Sequence, residues 1–330
     1  MEIMNKPLLI CMTPVRNEAW VLHAFLKATS LWADYIIIAD QMSTDGSREI
    51  ALSYPKVILI DNDNPDFNEA ERQGILIDRA REIKGDKILF GLDADEVFSA
   101  NFMKTNDWAK IQNSKQGDVF WFKWALICPD QVHYWDYETF FPWAFHDDGK
   151  EPHGNYVRKM HSMRIPYPID EKQMFYIVDF KVLHLTFLNL ERVYSKLRFY
   201  KFLDWEINQR SVVQLSRNYS YRESTYPVFV LNSDFVYSKS KFGFDLFQMI
   251  EIDSIKFWFD DYLIKSLMKY KSNETSKLDI WDKSFLTCYK LSDPRPFGIK
   301  LFHFYLHYTN KYSSNIVVRI IDTIFKKMNI

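Results

Sequence analysis

The chain has 330 residues, enough for one large domain or two ordinary ones, and its 42 Lys plus Arg against 43 Asp plus Glu leave a formal net charge of −1. That balance lacks the basic excess that bulk nucleic-acid binding needs, so nucleic acid is excluded as a partner. Three scattered cysteines, Cys11, Cys128 and Cys288, argue against a disulfide framework and a zinc site, and with no secretory leader or span-length apolar run the expected location is cytoplasmic.

The N-terminal third alternates strand and helix. Leu8-Leu-Ile-Cys-Met12 reads as a continuous apolar strand of the kind buried on both faces of a parallel sheet. Asn17-Glu18 opens a helix to about Leu31, with Val21, Leu22, Phe25, Leu26 and Ala28 on one face. Tyr35 to Ala39 is a second strand, and Asp45-Gly46-Ser47 turns into a short helix that ends before Pro55. Val57 to Ile60 is a third strand. A helix from Asn68 to Lys84 is closed by Gly85, and Lys87 to Leu92 forms a fourth strand. Such short links imply an α/β sheet with right-handed crossovers, whose ligands bind beyond the carboxyl ends of the strands.

Those strand ends carry the polar residues. The first delivers Thr13-Pro14-Val-Arg16-Asn17-Glu18, the second Asp40 and then Ser43-Thr-Asp45-Gly-Ser47. The fourth delivers Asp93-Ala-Asp95-Glu96, three carboxylates in four residues. Nothing nearby in the sequence neutralises them. Crowded like charges are costly unless a cation or a hydroxyl-rich ligand sits among them, and hard divalent ions prefer oxygen ligands. Taken singly, Asn17 and Asp45 are good helix caps and Ser43 to Ser47 good turn chemistry. Their coincidence on one rim is what points to a site.

Beyond residue 100 the pattern changes. Val119-Phe-Trp-Phe-Lys-Trp-Ala-Leu126 is an aromatic strand, in which Trp121 and Trp124 are expected to pack in the core. Pro129 to Pro168 reads as a long loop, whose Trp135, Tyr137 and Trp143 are of the type that lines a sugar site. Val178 to Leu185 reads as a strand ending at His184. From Leu190 onward the pattern is mainly helical, at about 190–208, 244–271 and 313–328. The expected organisation is therefore an α/β domain over 1–188, with a ligand-facing region at about 127–175, and a helical region over 189–330. Its last segment, Asn315 to Lys327, is amphipathic and suits a membrane surface, the protein itself or a second subunit.

The ordered set Thr-Pro-Val-Arg-Asn-Glu, Ala39-Asp40 with Ser-Thr-Asp-Gly-Ser, Asn68-Glu-Ala-Glu-Arg72 and Leu-Asp-Ala-Asp-Glu resembles the family 2 glycosyltransferases. The resemblance implies a GT-A fold: Rossmann-like, with a mostly parallel sheet flanked by helices, here with a helical C-terminal extension. Val182-Leu-His184-Leu-Thr, followed by Tyr194, Lys196 and Tyr200, is more loosely similar to enzymes of bacterial surface-polysaccharide and lipopolysaccharide-core synthesis. The family implies inverting transfer of one sugar from a nucleotide-sugar, usually a uridine diphosphate sugar, to a glycan or lipid-linked acceptor. By similarity Thr13, Pro14, Arg16 and Glu18 border the base and ribose. Asp40 and Asp45 line the same pocket, Arg72 is a basic position near the nucleotide, and Asp93 meets a ribose hydroxyl or the metal's water shell. Asp95 would ligate Mn2+ or Mg2+. His184 is either a further ligand or a strand-end histidine bonded to backbone.

Inversion needs a base to deprotonate the acceptor hydroxyl. Asp147, Asp148, Glu151, Asp170 and Glu171 all follow the metal motif. The related polysaccharide enzymes place an acid at about the distance of Glu171 before the histidine, so Glu171 is favoured, with Asp170 and Asp148 behind it. The Gln-x-x-Arg-Trp signature of processive synthases is absent, so one-sugar transfer is expected rather than polymerisation. Two other classes remain: a nucleotidyltransferase on a similar sheet, which would normally carry a glycine-rich loop after the first strand, and a non-catalytic carbohydrate-binding or scaffold protein.

Overall fold

The structure is a computed structural model that describes residues 6–150, 158–166, 173–221, 226–252 and 256–327. In chain order its first elements are β1 (Leu8–Val15), α1 (Ala19–Thr29), β2 (Tyr35–Asp40), α2 (Ser47–Leu52), β3 (Val57–Asp61), α3 (Glu69–Glu82), β4 (Lys87–Gly91) and β5 (Glu96–Phe98). Next come α4 (Asn106–Gln112), β6 (Val119–Ile127), β7 (His133–His146), β8 (Met174–Tyr176) and β9 (Val182–His184). Then follow α5 (Leu190–Asn208), α6 (Val212–Asn218), β10 (Val228–Val230), α7 (Lys239–Phe242), α8 (Trp258–Leu267), α9 (Ser272–Thr275), α10 (Lys283–Cys288), α11 (Phe297–Tyr308) and α12 (Ile316–Lys327).

The fold class is the expected one: mixed α/β, a mostly parallel sheet flanked by helices, and a helical C-terminal part. The sheet runs β3-β2-β1-β4-β7-β6-β9-β5, with β10 added to β7 and β8 to β6. Strands β3, β2, β1 and β4 are mutually parallel. β1 is buried along almost its whole length because α1 covers one face and α3 the other. Leu9, Cys11 and Val15 pack on the side of Phe25 and Leu26, whereas Ile10 and Met12 pack on the side of Leu76 and Ile77. This two-sided burial explains why the strand reads as a run rather than an alternation.

The middle region differs from expectation. Pro129 to Pro168 is not a single loop, because His133–His146 forms the long strand β7, antiparallel to both β4 and β6. Its polar residues and Pro142 masked the strand, and register shifts in the β6–β7 ladder accommodate that proline beside Trp121. Only Val182–His184 of the expected 178–185 strand is extended in the sheet. The expected 244–271 helix is confined to Trp258–Leu267.

The chain divides into two compact units, Met1–Leu188 with Pro227–Ile252, and Asn189–Tyr226 with Asp253–Ile330. Pro227–Ile252 thus belongs with the sheet rather than with the helical region. Its β10 pairs with β7, and the wholly buried Tyr237 donates from its hydroxyl to the Phe98 carbonyl at 2.9 Å. Among its described residues the regular secondary structure of the second unit is all helical. Arg198 forks onto Asp260 at 2.9 and 2.8 Å and reaches Asp282 at 2.7 Å, beside a core of Phe199, Phe202, Phe259, Leu263 and Phe285. Among the described residues, no helix is long and apolar enough to cross a membrane.

Candidate active site

The carboxyl ends of β2, β1 and β4 lie side by side because the strands are parallel and in register, Val15 opposite Asp40 and Met12 opposite Gly91. At the β2 end Asp40 is 1% exposed. One of its oxygens, Oδ2, accepts from Arg48 at 2.9 Å and from the Ser43 amide at 3.2 Å; the other, Oδ1, is buried with no hydrogen-bond partner among the described residues. Arg48 also reaches Asp61 at 2.7 Å, and these two carboxylates raise its pKa. A buried carboxylate oxygen with no donor is costly in an isolated protein, and it suits a ligand that brings an N–H or O–H.

Several residues of the first two strand ends prove to be structural. Thr13 is wholly buried, its hydroxyl 3.8 Å from Cys11 Sγ, so it is a core position of β1 and not a surface for a donor. Burial in the same layer pushes the Cys11 thiol up to about 12. Both Asp45 oxygens are occupied: Oδ2 accepts from the Ala19 amide at 2.9 Å, and Oδ1 from the Ser47 amide and hydroxyl at 3.0 and 2.6 Å. Asp45 therefore caps α1 from outside and tethers the turn into α2, for which Gly46 supplies a φ of 96°. Asn17, also at positive φ, accepts from the Thr44 amide at 2.7 Å and donates its own amide to Ser43 at 2.8 Å. Pro14 pairs with Ala39, Arg16 donates to the Pro65 carbonyl at 3.2 Å, and Glu18 accepts from Trp20 Nε1 at 2.7 Å. Arg72 lies over the Phe67 ring at 4.7 Å, with its Nε buried and without a hydrogen-bond partner.

The acidic cluster after β4 is not left uncompensated, contrary to the sequence expectation. Arg164 donates through Nη2 to Asp93 Oδ2 at 2.6 Å and through Nη1 and Nη2 to the two Glu96 oxygens at 2.5 and 3.1 Å. Burial works against its charge, but Asp93, Glu96 and Glu69 outweigh that and raise its pKa. The segment carrying Arg164 is held in place by the Glu69 amide, which donates to the Lys159 carbonyl at 3.0 Å, and by Glu69 Oε2, which accepts from the Ser162 amide at 2.9 Å. Gly91 makes the approach feasible: a Cβ there would lie 3.0 Å from Arg164 Cβ and 3.2 Å from its carbonyl oxygen. The run Arg158-Lys-Met-His-Ser-Met-Arg164 contains three cations and no acid, a legible signal for a partner to the acidic strand end.

Asp95 meets His184 on the neighbouring ladder. β9 lies between β6 and β5, with His184 opposite Glu96 on one side and Leu126 on the other. This puts His184 Nε2 3.6 Å from Asp95 Oδ2, while the Leu185 amide donates to the Asp95 carbonyl at 2.8 Å. Both His184 ring nitrogens are buried without a hydrogen-bond partner among the described residues. The imidazole is stacked on Trp124, centroids 4.9 Å apart, and Trp124 Nε1 donates to Glu96 Oε1 at 2.8 Å. Trp124, expected to be a core residue, is therefore part of the wall of this site. The donor set fits a divalent ion as two ligands, an imidazole nitrogen and a carboxylate, since orphaned ring nitrogens beside an acid are what such an ion would satisfy. Among the described residues no group of three His, Cys, Asp or Glu is arranged around a metal.

Other expected residues lie elsewhere. Asp148 follows β7, whose last residues pair with the start of β4, so it sits at the sheet rim opposite Asp95, about 20 Å away along the strand. Its neighbour Asp147 is buried against Arg81 at 2.8 and 3.1 Å. Trp135 and Trp143 are 5% and 3% exposed, so both belong to the core and offer no face to an acceptor. Trp143 packs on Phe122 and Phe141, and the Arg164 guanidinium lies 5.3 Å from its ring. Asp170 and Glu171, like Glu151, fall outside the described residues.

No protein-family model matches the chain, and no curated protein matches it. Among solved structures it is similar to glucosyl-3-phosphoglycerate synthase from Mycobacterium tuberculosis in complex with Mn2+, uridine diphosphate and phosphoglyceric acid, at 16% identity and a TM-score of 0.28. That likeness covers 36% of this chain and 43% of the other. A structure of 4-diphosphocytidyl-2C-methyl-D-erythritol synthase is similar over 28% of this chain and 47% of its own, at 11% identity and a TM-score of 0.24. The chain thus spans less than half the length of these structures. At such values the likeness concerns the fold alone.

Proposed function

We propose that the first unit is an inverting, metal-dependent glycosyltransferase that moves one sugar from a nucleotide-sugar to a hydroxyl of a glycan or lipid-linked acceptor. The observation that carries this reading is the Asp95–His184 pair, whose imidazole nitrogens lack hydrogen-bond partners among the described residues, at the end of a parallel α/β sheet. The buried Asp40 Oδ1 on the same rim supports it, as an acceptor waiting for the N–H of a base or the O–H of a ribose. The ordered motifs of the sequence supply the choice of a uridine nucleotide.

In this reading Asp40 orients the nucleoside, Arg72 meets the phosphates, and Asp93, fixed by Arg164, meets the ribose. Asp95 and His184 would hold Mn2+ or Mg2+. When bound, that cation stabilises the negative charge that grows on the departing nucleoside diphosphate. Glu171 takes the proton of the acceptor hydroxyl as its oxygen bonds to the anomeric carbon. The bond from that carbon to the diphosphate breaks on the opposite face, and the diphosphate leaves with the electron pair. Trp124 excludes water beside His184.

The test is a thermal-shift series with uridine, guanosine and cytidine diphosphates, each with and without Mn2+, on the protein and on Asp95→Asn and His184→Ala. A Mn2+-dependent stabilisation by uridine diphosphate, lost in both variants, is expected. If no nucleotide stabilises the protein, the transferase reading fails. Stabilisation by the cytidine nucleotide with release of pyrophosphate from CTP would favour a nucleotidyltransferase instead.

A further inference from the structure

The second unit ends in two helices whose buried rows are already satisfied. Phe302, His303 and Leu306 of α11 face inward, as do Val318 and Asp322 of α12. The two helices are clamped by Arg217 of α6, which donates to Asp322 at 2.9 and 3.0 Å, to the Leu306 carbonyl at 2.8 Å and to Thr309 Oγ1 at 2.8 Å. Tyr305 donates to Asp322 at 3.0 Å, and the Phe302 and Phe325 rings lie 4.7 Å apart.

Each helix carries a second apolar row left uncovered among the described residues. On α11 it is Phe297, Leu301, Phe304 and Tyr308, spaced to fall on one face; on α12 it is Ile316, Val317, Ile320 and Ile324. Every one of these side chains is more than half exposed, from 53% at Ile324 to 82% at Phe297. Single exposed apolar residues are ordinary, but two uncovered rows on consecutive helices of one unit mark an interaction surface.

The charge on these helices says what covers it. Residues 297–327 contain Lys300, Lys311, Arg319, Lys326 and Lys327 against the single acid Asp322, which is spent on Arg217 and Tyr305. Lys300 pairs with Asp293 at 3.2 Å, whereas the other four cations meet no carboxylate among the described residues. A second copy would bring the same cations against them. An anionic lipid surface would bring the opposite charge to the cations and an apolar layer to the rows, with Tyr308 and Tyr312 suited to the headgroup level. We propose that α11 and α12 form an in-plane dock for an anionic membrane surface. The docking is peripheral, and it does not depend on the activity proposed for the first unit.

Vesicle co-flotation tests this, with phosphatidylcholine containing phosphatidylglycerol compared with phosphatidylcholine alone, on the full chain and on Ile320→Glu/Ile324→Glu and Phe304→Asp. The substituted positions are exposed, so circular dichroism of the variants should match the parent. The expected result is binding to the anionic vesicles that weakens with added salt and drops at least about tenfold in each variant. No binding to anionic vesicles, or equal binding by the variants, would overturn the proposal. So would a dimer in sedimentation that Ile320→Glu/Ile324→Glu dissolves while vesicles leave the parent unbound, an outcome that assigns the rows to a second copy.

Discussion

Arg164 Nη2 lies 2.6 Å from Asp93 Oδ2, joining a short basic segment to a strand-end acid 71 positions earlier in the chain. The same guanidinium compensates Glu96, which is completely buried. Arg164→Met should leave Glu96 without its cation, and urea unfolding should show a loss of about 3–5 kcal/mol. Arg164→Lys keeps the charge but loses the fork, so its loss should be smaller. A Met variant as stable as the parent would show that the acidic cluster does not depend on this residue.

Gly91→Ala should disturb the same contact from the other side. The added methyl meets the Arg164 backbone and Cβ at 3.2 and 3.0 Å, so the 158–166 segment must give by a few tenths of an ångström at the end of β4. A destabilisation of about 1–3 kcal/mol is expected. Faster limited proteolysis within 158–166 than in the parent is the readout, and unchanged cleavage there would mean that the strand end absorbs the methyl.

Asp40→Asn keeps the shape of the β2 terminus but replaces a charged acceptor. If Asp40 Oδ1 receives a donor from the nucleoside, uridine diphosphate affinity measured by calorimetry with Mn2+ should fall about tenfold, or about 1.4 kcal/mol. Equal affinity in the two proteins would remove Asp40 from the nucleotide site.

The second unit should lose stability in acid in two stages. Burial lowers the pKa of His303, so the folded state keeps it neutral; below its unfolded value of about 6.5 the unfolded chain takes up the proton first and stability falls. Burial raises the pKa of Asp279, but Lys201 at 2.8 Å and His307 at 2.9 Å outweigh that and leave it depressed. Its contribution is present above the unfolded carboxylate value of about 4 and is lost as pH drops further. Chemical unfolding followed between neutral pH and pH ~3 should show both limbs. Asp279→Asn should weaken the lower limb and, because the Asp279 carboxylate also favours the charged form of His303 from 3.7 Å, deepen the upper; an unchanged profile would discard the assignment.

The α/β half of the fold was legible because two-sided burial writes itself as apolar runs, as in Leu8–Met12, with caps and glycines between them. The clustering of strand-end acids was legible too, as was the presence of a histidine on the opposing ladder. The strand β7 was not, since a strand interrupted by Pro142 and register shifts has neither period-two alternation nor a continuous apolar run. Trp135 and Trp143 were misread with it, because aromatic residues in a supposed loop look available and in a strand become core. Arg164 was missed because the basic run 158–164 is visible in the sequence but carries no mark of its target, an acid 71 positions earlier. The split between Asp40, with a vacant acceptor, and Asp45, with both oxygens spent on backbone and hydroxyl donors, depends on geometry that two similar strand-end acids do not encode.

The return of Pro227–Ile252 to the sheet unit sets the order in which the protein is made. Tyr237 reaches the Phe98 carbonyl, Leu231 donates to Val132, and Glu251 donates to Trp20, so the first unit lacks these closures until residue 251 has left the ribosome. By then α5 and α6 have already been synthesised. The nascent chain must therefore carry an unfinished sheet past a stretch of foreign helix, the interval in which bare strand edges are most open to wrong pairing. A gene cut after Leu188 would freeze the protein in that interval.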